Sequence, residues 1–264
     1  MLSQKGKFEK KHLTKFILMM PGRTGSSYII ERLNSHPNIV AETELFGGGD
    51  TTEEITTVRK RLQRLYEDHY SDNIKAVGFK TKIRGNVNPV YSDLRLFKKK
   101  IIQEMMVTKS IILLRNNLVK QAISRIRTEL LKKRSLEQNG TKIWNIRQDN
   151  DKVLAHCISP EVFDFWLKKY SVEKQELIDF SRSLEIEELT IYYEDLLGND
   201  DKLMEKIFNF LDVPKQSTHS GMIKHTNDDL SKVVKNFDEL LTKYKGTVYE
   251  AMFLEGVNRN HISP

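Results

Sequence analysis

The chain has one cysteine, Cys157. No disulfide can form within it, so a reducing compartment is its natural setting. No apolar run approaches the ~20 residues that a membrane span requires. The FILMM segment at 16–20, behind the basic start of the chain, is too short for the core of a signal peptide. A cytoplasmic location is the expectation. Zinc-finger spacing, an arginine-rich arm and an interleaved aromatic RNA-binding motif are all missing, so nucleic acid is not the expected partner despite a net charge of +7. No cluster of metal-ligating residues stands out, and no metal is expected. Also missing is GxxxxGK[ST], the phosphate loop of ordinary nucleotide hydrolases. Internal repeats are absent.

What is present describes a globular α/β protein. The 264 residues are 39% hydrophobic and 30% charged, enough for one large domain over 1–264. The excess of positive charge reads either as a lysine-rich solvated surface or as a field that attracts anionic ligands. Five runs have the near-continuous apolar or β-branched character of strands buried on both faces: 16–20, 39–40, 76–79, 111–114 and 189–193. Helical patterns separate them. Tyr28, Ile29, Ile30 and Leu33 form one, closed at Asn34-Ser35-His36-Pro37. A polar-faced segment over 53–70 forms a second. Leu118, Ala122, Ile126 and Leu130 draw a third stripe, and Leu203, Ile207, Phe208 and Leu211 a fourth, stopped before Pro214. Such alternation predicts a parallel sheet with right-handed crossovers, flanked by helices in a three-layer sandwich. Ligands of these sheets sit at the carboxyl ends of the strands, here just after Met20, Phe79, Leu114 and Tyr193. Residues 131–152 are polar with scattered aromatics and read as a long loop, part of a lid or insert near 131–160.

Pro21-Gly22-Arg23-Thr24-Gly25-Ser26-Ser27 lies between the first strand and its helix. Gly22 and Gly25 permit backbone angles that turn successive N–H groups toward an anion. Ser26 and Ser27 are fit to cap the helix and to donate hydroxyls to the same oxygens. The helix start adds free N–H groups and its dipole, and Arg23 a permanent fork-shaped cation suited to phosphate or sulfate. A second cation, Arg115, follows the strand IILL directly, and Ser124 comes nine residues later in the next helix. Two anion sites at one sheet edge point to a ligand with two separated phosphates.

These segments resemble a family. PGRTGSS (21–27) is similar to the 5′-phosphosulfate loop of sulfotransferases that use 3′-phosphoadenosine-5′-phosphosulfate (PAPS), and LLRNNLVKQAIS (113–124) to their 3′-phosphate motif. IYYEDLLGNDDKLMEKIFNFLDVP (191–214), SHPNIVAETELF (35–46) and NFDELLTKYKGTVYEAM (236–252) resemble later and flanking segments of the family, so the likeness covers most of 14–255. Arginine at position 23, where cytosolic small-molecule members carry lysine, and the absence of a placeable catalytic histidine bring the chain nearer the bacterial and carbohydrate branch.

The resemblance implies a P-loop NTPase-like fold and PAPS as cosubstrate, with no metal required. The acceptor would be a hydroxyl of a saccharide, glycolipid or small molecule. By the same resemblance Arg23 stabilises the leaving 5′-phosphate, helped by Gly22, Thr24, Gly25, Ser26 and Ser27, while Arg115 and Ser124 hold the 3′-phosphate. Tyr193 corresponds to a tyrosine on the adenine or is a buried structural residue. Glu44, before Leu45-Phe46, is the candidate general base, with Glu42 in reserve and His36 a competitor that also reads as a capping or surface residue. Lys80 is placed to reach the sulfate, and Lys82 either joins it or lies on the surface. Trp144 stacks on an acceptor or anchors its loop. Two rivals stand beside this reading: a nucleotide-dependent kinase of related architecture and a non-catalytic nucleotide-binding protein.

Overall fold

Along the first strand Phe16, Leu18 and Met20 pack into one apolar cluster, and Ile17 and Met19 into another. None of the five is more than 2% exposed. A strand buried on both faces belongs in the middle of a sheet covered on both sides, and each such side chain contributes roughly 1.5–3 kcal/mol by leaving water. The computed structural model describes residues 13–44, 55–67, 70–83, 94–149, 152–224 and 226–256. It shows five strands: β1 (Thr14–Met19), β2 (Ile39–Glu42), β3 (Ala76–Thr81), β4 (Lys109–Leu114) and β5 (Glu187–Tyr192). They form one sheet in the order β2-β3-β1-β4-β5 with every pairing parallel. The expected α/β three-layer architecture is therefore the observed one.

Helices α1 (Ser26–Asn34) and α6 (Tyr193–Phe210) cover one face through Ile29, Ile30, Leu33, Leu203, Met204, Ile207 and Phe208. The other face is covered by α2 (Ile55–Glu67), α3 (Leu94–Glu104) and α5 (Pro160–Arg182). A third apolar cluster joins α4 (Leu118–Asn139) and α5 to the short helices α7 (Phe237–Lys243) and α8 (Glu250–Leu254). Among the described residues no helix is long and apolar enough to cross a membrane.

Several expectations shift. The segment 131–152 is not a continuous loop: α4 runs on to Asn139 and ends at Gly140 in a left-handed C-cap. Leu131 is buried while Leu130 is 36% exposed, so the apolar face turns away from the regular four-residue step. Tyr193 opens α6 instead of closing β5. Helix α5 was legible but unread: Pro160 stands in its first turn and Ser159 caps it, accepting from the Val162 amide. Order reverses about β1, whose neighbours β3 and β4 lead to opposite edges of the sheet. The loops after β1 and β4 consequently meet at a topological switch point, where sheets of this kind bind ligands.

Candidate active site

The loop after β1 holds two consecutive devices. Arg23 and Gly25 both have left-handed backbone, φ 66° and 82°. Gly22 does not, so the strained position falls on the arginine itself. A non-glycine residue held this way stores about 1–3 kcal/mol, which surrounding contacts must sustain. Those contacts are visible: Gln121 donates to Gly22 O at 2.7 Å, Arg115 Nη1 to Arg23 O at 3.2 Å, and Thr24 Oγ1 to Pro21 O at 3.1 Å. The Thr24 side chain is thus fully occupied inside the loop. Gly25 is the N-cap of α1 and offers no side-chain acceptor. The expectation that Ser26 or Ser27 caps the helix is corrected: both lie within its first turn, and its opening amides are not taken by a capping side chain.

Arg23 Nε donates to Ser124 Oγ at 3.2 Å, and Nη1 to Trp144 O at 3.4 Å. The first loop and the fourth helix are thereby joined. Arg23, Gly25, Ser26, Ser27, Arg115, Ser124 and Tyr193 all line one cavity of about 230 Å³. The Arg115 guanidinium lies over the Tyr193 ring, 4.2 Å from its centroid. The start of α4 is not itself an anion site, because Glu194 accepts from the Asn116 and Asn117 amides at 3.1 Å. Positive charge at this end of the cavity comes from Arg115 alone among those loop residues. Burial lowers the pKa of Arg115, opposed by Tyr193 and Glu194. Arg23 is brought down to about 10, first by burial, with Tyr170 opposing and Arg115 adding repulsion. Both stay charged at neutral pH. Two buried polar atoms of cavity-lining residues, Arg115 Nε and Thr226 Oγ1, have no hydrogen-bond partner. A cavity with two crowded arginines and orphaned polar atoms fits a ligand that is anionic and rich in acceptors.

Glu44, Lys80 and Lys82 lie outside the lining of this cavity. Lys80, 6% exposed, donates to Ser27 Oγ at 2.8 Å and so reaches the loop from β3. Its pKa falls to about 8, chiefly through burial, with Glu44 opposing and Lys82 and Arg23 assisting. Lys82, its side chain 33% exposed, pairs with Glu44 at 2.9 Å. Leu45 and Phe46, which carried the placement of Glu44, are outside the described residues. Glu42 is exposed at the end of β2. His36 is settled against the base role: its Nδ1 accepts from the Asn38 amide at 3.0 Å, leaving Nε2–H to donate to Pro214 O at 2.8 Å. It is 2% exposed and packs on Phe208, so it is neither catalytic nor a surface residue. Trp144 anchors its loop, with Lys132 Nζ 3.4 Å from its ring centroid.

Sequence reasoning assigned 145–146 to the expected lid or insert near 131–160 but missed the second loop of the roof. Asn145 and Ile146 from one loop, and Met222, Ile223, Lys224 and Thr226 from another, line the cavity opposite Arg115. The two loops are tied by Ile223 N to Ile146 O at 3.2 Å. Glu31 of α1 pins both: it accepts from Ser220 Oγ at 2.7 Å and Gly221 N at 3.2 Å, and pairs with Arg147. Buried Arg32 holds the same strand of chain through Thr218 at 2.8 Å. Leu196 and Leu197 also line the cavity, and α6 kinks just beyond them at Asn199. For the second loop, only the IERL pattern on α1, placing an acid and a base side by side, carried any hint. Among the described residues no group of three or more His, Cys, Asp or Glu is placed to hold a metal ion.

No family model matches the chain, and no curated protein matches it. Its fold is similar to solved structures. One is a sulfotransferase from Alicyclobacillus acidocaldarius, 14% identical, with 92% of this chain and 96% of that one covered at a TM-score of 0.47. Another is mouse sulfotransferase SULT7A1 complexed with PAP, 14% identical, with 95% and 78% covered at a TM-score of 0.42.

Proposed function

We propose that this protein is a cytoplasmic sulfotransferase that transfers a sulfuryl group from PAPS to a hydroxyl of a saccharide, glycolipid or small-molecule acceptor. The observation that carries the reading is the junction of the two loops: Arg23 bonds Ser124 at 3.2 Å beside a cavity that Arg115 and Tyr193 also line. Two arginines at two points of one cavity suit a ligand with two separated phosphates better than a single nucleotide phosphate chain. No lysine stands in the loop to take the place of a P-loop lysine.

PAPS, when bound, supplies a sulfuryl group whose bond to the 5′-phosphate breaks as the bond to the acceptor oxygen forms. Arg23 and the first-turn amides of α1, with Ser26 and Ser27, hold the 5′-phosphate and receive the charge that grows there. Arg115 and Ser124 hold the 3′-phosphate, and Tyr193, braced by Arg115, forms the wall for the base. Lys80, resting on Ser27, adds positive charge on the sulfuryl side. Glu44 accepts the acceptor proton, and Lys82, paired with it at 2.9 Å, orients it for that task. The roof of Asn145, Ile146, Met222, Ile223, Lys224 and Thr226 excludes water from the cavity.

The test is a calorimetric titration with adenosine 3′,5′-bisphosphate against ATP plus magnesium, followed by turnover with labelled PAPS over a panel of hydroxylated acceptors. Preference for the bisphosphate together with turnover supports the proposal. Preference for ATP favours the kinase, and bisphosphate binding without turnover on any acceptor favours a non-catalytic binding protein.

A further inference from the structure

Tyr170 is a phenol out of place by ordinary rules. It sits on α5, 2% exposed, with its ring 5.8 Å from that of Trp166. Its hydroxyl nevertheless makes no hydrogen bond among the described residues. A phenol this enclosed, its hydroxyl unused by those residues, is available to a bound ligand.

Its position says what that use is. A Cβ built on Gly22 would stand 3.3 Å from Tyr170 Oη and 3.8 Å from Lys82 Cε. The hydroxyl is therefore pressed against the first glycine of the phosphate loop, on the side where Lys82 meets Glu44 at 2.9 Å. Arg23 is the next residue along the loop; burial lowers its pKa and Tyr170 opposes that lowering. The phenol thus lies against the loop that carries the cation assigned to the leaving phosphate, near the ion pair that includes the carboxylate assigned to the acceptor proton.

We propose that Tyr170 Oη–H donates a hydrogen bond to an oxygen of the sulfuryl group, which makes Tyr170 a further catalytic residue. This rests on the sulfotransferase reading above. Tyr170 is a donor and not a base, since burial holds the phenol well above its usual range. It makes and breaks no covalent bond. The acceptor oxygen bonds to sulfur, the acceptor proton passes to Glu44, and the electron pair of the broken bond stays on the 5′-phosphate oxygen that Arg23 holds.

The test is Tyr170→Phe, read by calorimetry without acceptor. Expected are a bisphosphate Kd within about twofold of wild type and a PAPS Kd weakened about tenfold, the worth of one hydrogen bond to a charged group. The melting temperature should hold or rise, because a hydroxyl with no protein partner is removed. With acceptor, kcat should fall. Equal effects on PAPS and bisphosphate, no effect on either, or a variant that melts several degrees lower or fails to fold would each overturn the proposal. Wild-type protein that binds neither nucleotide would instead defeat the sulfotransferase reading on which it rests.

Discussion

Replacing Arg115 with methionine separates recognition of the 3′-phosphate from everything else in the site. Arg115 is 5% exposed, donates to Arg23 O at 3.2 Å and covers the Tyr193 ring. Its loss removes one backbone hydrogen bond worth about 0.5–1.5 kcal/mol and a cation–π contact of about 0.5–2 kcal/mol. Against this stands relief from burying a charge whose Nε finds no partner, a penalty of several kcal/mol before compensation. A methionine of similar length keeps contact with Tyr193, so folding stability should change by no more than about 1 kcal/mol in either direction. Binding has no such offset. Two charge-assisted bonds to a 3′-phosphate are together worth roughly 3 kcal/mol, or about a hundredfold in Kd. Calorimetry with adenosine 3′,5′-bisphosphate and with adenosine 5′-monophosphate provides the comparison. The bisphosphate should weaken about a hundredfold and the monophosphate about threefold at most. If both ligands weaken alike, or the bisphosphate does not weaken, Arg115 does not read the 3′-phosphate and the two-phosphate argument fails.

Three other outcomes follow from the same geometry. Glu44→Gln should lower kcat by about 10²–10⁴, the usual worth of a general base, with the bisphosphate Kd unchanged; full turnover in this variant would remove Glu44 from the mechanism. Lys80, held at a pKa of about 8 by burial, loses its charge as pH rises through that value, so PAPS affinity should fall up to about tenfold between about pH 7 and 9. The same depression makes folding more favourable between about pH 8 and the ordinary lysine value, because the unfolded chain still binds the proton that the native state has released. Lys80→Arg should flatten both profiles, and a wild-type affinity profile already flat across this range would contradict the assignment. Glu31→Ala unpins both loops of the roof, and stopped-flow release of a fluorescent bisphosphate should quicken about tenfold. An unchanged release rate would mean that the roof closes without it.

The three inner strands, β1, β3 and β4, were legible because each is buried on both faces and so is apolar almost without interruption; Ile17 and Leu18 point in opposite directions and are both at 0% exposure. The phosphate loop was legible because glycine, serine and arginine types between a strand and a helix carry their chemistry locally. Its details were not: the left-handed residue beside Gly25 is Arg23 and not Gly22, since contacts from Gln121 and Arg115, remote in sequence, set that backbone. His36 read as a possible base until Asn38 and Pro214 were seen to engage both its nitrogens. Helix α5, with its Pro160 start, was legible and overlooked. Sequence alone thus determined the class of fold, the loop with Arg23 and the second arginine, Arg115, after IILL, all of which depend on residue type and short-range order. Tertiary structure alone decided that Arg23 and Ser124 touch, that two loops some seventy-five residues apart roof one cavity on Glu31, and that an unpaired phenol from α5 stands beside Gly22. Those are contacts between chain segments far apart in sequence, and only the order of the strands about β1, which no local pattern encodes, brings them to one edge of the sheet.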